Sequence, residues 1–148
     1  MKPQAAVVTS VASRNAFKQL PEISGVRVLV PVVKVNGKLF LSPHFGRAPG
    51  FAVYEVQGSE IANVQYVDNP YRNPEEHSGH GRMILNLVSS FKPEAVIVRS
   101  IGEGAFYRLK SLGARIYRST DRLADEAVLK LVRNELEELQ APVEEHEH

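Results

Sequence analysis

The chain has 148 residues, 43% of them hydrophobic and 24% charged, with a formal net charge of +1 and neither cysteine nor tryptophan. That length suits one domain with a proper core, and the composition argues against wholesale disorder. No apolar run approaches the about 20 residues that cross a bilayer, and the lack of cysteine removes disulfides, thiolate catalysis and cysteine-ligated zinc or iron–sulfur sites.

Residues 1–24 mix Ser, Asn, Gln and Pro with scattered apolar positions and read as a flexible N-terminal extension. They contain no apolar core of signal-peptide length, so the expected location is cytoplasmic. Order starts at the β-branched run Val26 to Val33, predicted as a buried strand. Pro31 inside it cannot donate to a sheet ladder and asks for a bulge or an edge. Asn36-Gly37 predicts a tight hairpin into a strand over Lys38 to Leu41. Phe51 to Val56 and Ile61 to Val67 make a second strand pair around Gln57-Gly58-Ser59, with Ala62, Val64 and Tyr66 on one face. Met83, Ile84, Leu87, Val88 and Phe91 then form one helical apolar stripe, closed by Pro93. Ala95 to Val98 predicts a short buried strand. It is followed by a helix containing Phe106, Leu109 and Leu112, with Gly113 as its C-terminal cap. Arg115 to Arg118 gives another strand, and Asp121 is the expected N-cap of a last helix whose stripe is Ala124, Ala127, Val128, Leu131 and Val132. The remainder after Leu139 is expected to be solvated.

The domain division that follows is an extension over 1–24, a folded body over 25–134 and an acidic tail over 135–148. The tail carries six acids and no Lys or Arg, whereas the body holds 15 basic and 10 acidic residues. A mildly basic body suits an anionic ligand but lacks the basic stripe of a nucleic-acid binder, so neither nucleic acid nor membrane is an expected partner. An ordinary solvated surface with an acidic tail accounts for the same counts. The element order, two hairpins followed by helix–strand alternation, predicts a three-layer α/β domain with a mixed sheet. Ligands of such folds sit outside the carboxyl ends of the parallel strands.

Three segments hold residues suited to chemistry. In Ser42-Pro43-His44-Phe45-Gly46-Arg47-Ala48-Pro49, prolines stiffen a loop that displays a His and an Arg. His44 suits metal ligation or proton donation and Arg47 suits an anion, although on the residues alone a tight connection with two merely exposed side chains is the plainer reading. In Asn69 to Gly81 the His77-x-x-His80 spacing puts two imidazoles on one helical face. Zinc would want a third ligand, for which His44 or Glu76 is available; a plain loop with neighbouring histidines is the alternative. Ser100-Ile101-Gly102-Glu103-Gly104-Ala105-Phe106 is a glycine-containing strand-to-helix turn whose first amides can face an anion, or an ordinary tight turn. Glu55, Asp68, Glu103 and Asp121 are the only acids to suggest a two-metal nuclease, and their spacing gives no support for convergence.

Together these segments resemble the dinitrogenase iron–molybdenum cofactor biosynthesis family from about Val26 to Val132. The resemblance rests on Val28-Leu29-Val30-Pro31-Val32, His44-Phe45-Gly46-Arg47-Ala48-Pro49 with Phe51, Asn69-Pro70, the run Pro93 to Val98, Ile101-Gly102-Glu103-Gly104-Ala105-Phe106, and Ala127. It implies a ribonuclease H-like fold with a mixed five-stranded sheet flanked by helices, of the stand-alone archaeal and bacterial type. It implies a non-enzymatic carrier for iron–molybdenum cofactor or a related iron–sulfur cluster, working with a donor or acceptor protein; a monomer or weak homo-oligomer is expected. On that reading His44, Phe45, Gly46, Arg47, Asn69, Gly102 and Gly104 bind the cluster, and His44, His77 and His80 are the candidates for metal contact. A module of the same fold that takes a small anion or a protein partner is the alternative.

Overall fold

The computed structural model describes residues 25–71 and 80–144. The β-branched run forms β1 (Val26–Val35), and Asn36 and Gly37, with φ of 51° and 79°, turn it tightly into β2 (Lys38–Leu41). The second hairpin is β3 (Gly50–Gln57) and β4 (Glu60–Asp68), joined through Gly58 at φ 62°. Then follow α1 (His80–Ser89), β5 (Ala95–Val98), α2 (Glu103–Ser111), β6 (Arg115–Arg118), α3 (Ala124–Val132) and β7 (Glu137–Glu138). The sheet runs β4-β3-β1-β5-β6-β7, with β2 also on β1; β1–β5 and β5–β6 are parallel and the other pairs antiparallel. Among the described residues it has seven strands where five were expected.

Period-two alternation creates the layers. Leu29, Phe51, Val53, Val96 and Val98 point to one face, where Ile84 and Val88 of α1 and Phe106 and Leu109 of α2 cover them. Val28, Val30, Ala52, Tyr54 and Ile97 point to the other, under Ala124, Ala127 and Val128 of α3. Each face is apolar because each is buried, which is why β5 reads as an unbroken Ala-Val-Ile-Val run.

Pro31 is accommodated by neither a bulge nor an edge. β1 pairs with β5 at Val28 and Leu29 and with β2 from Val32 onward. The Pro31 carbonyl, accepting from the Ser42 N–H at 2.8 Å, faces that changeover. A strand residue's N and C=O point to the same side, so the missing N–H falls where no ladder bond is required. Asp121 is not the cap of α3. The N-cap is Leu123, without a side-chain bond, while the Asp121 carboxylate binds Lys130 at 2.8 Å and accepts from the Ser119 hydroxyl at 2.7 Å. Gly113, at φ 94°, does stand at the end of α2, but Leu112, expected within the helix, is its C-cap and 61% exposed. The final segment is not solvated throughout. β7 pairs with β6, Leu139 is buried, and Val143 forms a bridge with Ile101. Residues 1–24 lie outside the described residues.

On the α3 face a buried tyrosine reaches an exposed carboxylate. The Tyr54 hydroxyl donates to Asp125 Oδ1 at 2.5 Å from a fully buried ring. Burial, then the hydrogen bond and charge of Asp125, push this phenol far above its usual range. Tyr54→Phe should cost about 1–2 kcal/mol near neutral pH. The unfolded chain's phenol ionises near pH ~10, so the contribution is complete below that pH and shrinks as pH rises past it. Thermal melts should show the wild-type Tm falling more steeply than that of Tyr54→Phe above pH ~10; parallel falls would refute the assignment.

Candidate functional site

The loop between β2 and β3 is held in place by two buried polar side chains outside it. Asn69, 1% exposed just after β4, donates through Nδ2 to the carbonyls of Ala48 (2.9 Å) and Gly46 (3.2 Å), while its Oδ1 accepts from the Tyr71 N–H at 3.0 Å. Ser100, buried after β5, donates its hydroxyl to the Pro43 carbonyl at 2.6 Å. Within the loop the Ser42 hydroxyl donates to the His44 carbonyl at 2.9 Å, and Phe45 turns inward against Phe51 with ring centroids 5.5 Å apart. The His-Phe-Gly-Arg loop and the glycine-containing turn, 57 residues apart at the Pro43–Ser100 bond, are thus tied together.

They share an open cavity of about 1110 Å³ outside the carboxyl end of β5. His44, Phe45, Gly46 and Arg47 line it from the loop, and Gly102, Glu103 and Gly104 from the turn. The start of α1 contributes Arg82 and Leu85; α2 contributes Tyr107, Arg108 and Ser111. Three exposed guanidinium groups, those of Arg47, Arg82 and Arg108, therefore surround the space from three separate elements. None has an ion-pair partner among the described residues. Glu103 and Glu144 are the carboxylates on the same wall.

The turn offers backbone. The N-cap of α2 is Gly102, which supplies no side-chain bond, so the first-turn amides are left without a cap from that residue. Its φ of −77° is open to any residue, so what the glycine provides is a bare Cα. A Cβ there would lie 2.9 Å from Glu144 Oε2, whereas a Cβ at Gly104 would meet nothing within 4 Å. Among the described residues the donor set is one imidazole, three guanidiniums and helix-start amides, with no thiolate in the chain. It fits a large anion held by charge and hydrogen bonds and gives no closed coordination cage.

The expected residues separate clearly. His44, Phe45, Gly46, Arg47, Gly102 and Gly104 converge on the cavity. Asn69 is not in its lining and stands behind the loop instead. His77 lies outside the described residues, and His80 opens α1 without a described side chain. Among the described residues no group of three His, Cys, Asp or Glu side chains is placed to hold a metal ion. The acids of the nuclease alternative are dispersed: Glu55 faces Arg27 at 3.7 Å, Asp68 accepts from the Tyr66 hydroxyl at 3.0 Å, and Asp121 is bound to Lys130. Sequence reasoning missed Arg82, Arg108 and Glu144. Gly104, Tyr107, Arg108 and Ser111 fall at i, i+3, i+4 and i+7, so a polar stripe on α2 opposite Phe106 and Leu109 was the available signal.

A sequence profile of the family described as dinitrogenase iron–molybdenum cofactor matches residues 6–134. The chain belongs to that family. The match begins within the segment read as an extension. The uncharacterized protein MJ0580 of Methanocaldococcus jannaschii is 32% identical over 100 residues, covering 68% of this chain and 83% of that one. A Thermotoga protein, solved by NMR and described as a NifB candidate, is 29% identical with a TM-score of 0.66, covering 82% of this chain and 99% of its own. The apo form of the orange protein from Desulfovibrio gigas has the same TM-score at 22% identity, covering 78% of this chain and 94% of that one, and shows the shared fold. No helix among the described residues is long and apolar enough to cross a membrane.

Proposed function

We propose that the chain is a non-enzymatic carrier of an anionic metal–sulfur cluster, of the iron–molybdenum-cofactor or iron–sulfur-precursor type, on a ribonuclease H-like outline. The observation that carries the reading is the convergence of the family's two motif blocks and three guanidiniums on one open cavity. Such a cluster is large, soft and net negative, and a carrier must hold it and release it to an acceptor protein. Charge pairing with Arg47, Arg82 and Arg108, amide donors at Gly102 to Gly104 and one imidazole at His44 meet both demands. Four thiolates would hold the cluster too firmly for transfer.

Anaerobic titration with tetrathiomolybdate, a soft molybdenum–sulfide dianion with strong visible absorption, tests this after gel filtration. Wild type should retain about one equivalent, and His44→Ala should weaken retention about tenfold, as loss of one hydrogen bond to a charged group implies. No retention by wild type would overturn the carrier reading, and unchanged retention in His44→Ala would remove that residue from the site.

A further inference from the structure

After β7, residues 139–144 return toward the cavity. From β7 the chain passes through buried Leu139, whose N–H donates to the Ile116 carbonyl at 2.7 Å. Half-buried Val143 packs against the α1/α2-side core and forms an antiparallel bridge in which the Ile101 N–H donates to the Val143 carbonyl at 2.6 Å. One residue on, the Glu144 carboxylate lies against the bare Cα of Gly102, close enough that a Cβ there would stand 2.9 Å from Oε2. An anionic oxygen of the protein's own thus occupies the approach to the turn, in a cavity that Arg47, Arg82, Arg108 and the Glu103 carboxylate also line.

We infer that residues 141–144, beyond the anchored Leu139, are a displaceable strap and that Glu144 is a tethered competitor for the anionic ligand. Two anions cannot share the approach to Gly102 without mutual repulsion, so ligand binding and strap docking oppose each other. The strap is held by one bridge and one half-buried valine, a contact weak enough for a multiply charged ligand to open. Opening frees the Ile101 N–H and widens the mouth of the cavity. The inference rests on the cavity taking an anion, and therefore on part of the proposed function.

The test compares wild type, Glu144→Gln and a chain ending at Gln140, which keeps β7 and Leu139. Each is titrated with tetrathiomolybdate and with molybdate at fixed ionic strength, and amide exchange at Ile101 and Phe106 is followed by NMR. Expected results are about fivefold tighter binding by Glu144→Gln, at least as much by the shortened chain, and Ile101 exchange in wild type rising about tenfold at saturation while Phe106 stays protected. Thiomolybdate binding of equal strength in all three chains, or weaker binding by Glu144→Gln, overturns the strap and leaves the carrier reading intact. Molybdate binding that tightens in the variants, with thiomolybdate ignored, keeps the strap and overturns the cluster cargo. Failure of both anions to bind any of the three chains overturns both. Glu144→Gln changes one exposed side chain, so it decides the matter even where the shortened chain fails to fold.

Discussion

Asn69→Ala is expected to destabilise the protein by about 3 kcal/mol, lowering Tm by roughly 10 °C, although Asn69 is not itself in the lining of the cavity. The side chain makes three hydrogen bonds from a site that is 1% exposed: two from Nδ2, to the Ala48 and Gly46 carbonyls, and one from the Tyr71 N–H to Oδ1. Alanine removes all three and supplies nothing in return. A net hydrogen bond contributes about 1 kcal/mol, and each partner left buried without water adds a desolvation cost. The backbone bond from the Asn69 N–H to the Pro49 carbonyl, 2.9 Å, survives the substitution and limits the loss. Asn69→Asp keeps the acceptor for Tyr71 but turns a carboxylate toward two carbonyls, so it should be no better than Ala. Tetrathiomolybdate retention should fall with both variants, because His44 and Arg47 ride on the loop that Asn69 fixes. A Tm within about 2 °C of wild type would show that the clamp carries little of the loop's stability.

The fold was legible wherever a periodic apolar signal decided it. β5 and β6 have the bounds that their sequences predicted, because four-residue apolar or alternating runs between turn residues admit few alternatives. The Asn36-Gly37 hairpin was equally plain, since both residues tolerate positive φ. β7 was not legible. Glu137-Glu138 has no strand propensity, and its two residues are extended because Arg118 and Tyr117 pair with them and Arg115 binds Glu138 at 3.2 Å. Asp121 misled for a related reason: it is a good capping type near a helix start, but Lys130 one face away offers it an ion pair. At the site, the motif blocks named the two loops, while the helices' contribution depended on rotation about their axes. Arg82 and Arg108 are ordinary surface arginines until the packing of Ile84 on one helix and Phe106 and Leu109 on the other turns them toward one space. Glu144 was hidden by its setting in a run of acids that composition alone describes as solvated.

The arginine ring supplies the largest expected loss of ligand binding. Removing Arg47, Arg82 or Arg108 singly with Ala should weaken tetrathiomolybdate about tenfold each, in line with one charge-assisted hydrogen bond apiece. The three side chains belong to separate elements, a loop and two helices, and share no ion-pair partner among the described residues. Their effects should therefore combine nearly additively, so the triple variant should bind at least about 300-fold more weakly. Exposed charges act through water and are screened at physiological ionic strength. Wild-type affinity should accordingly drop steeply between low and high salt, and the triple variant should lose most of that slope. All three guanidiniums are exposed, so the folded state should be unaffected beyond about 0.5 kcal/mol per site. A triple variant that keeps its Tm and its affinity would place the anion away from this cavity. One that keeps its Tm but loses both affinity and salt slope would show that long-range charge, rather than coordination, holds the anion, which is what the proposed carrier role requires.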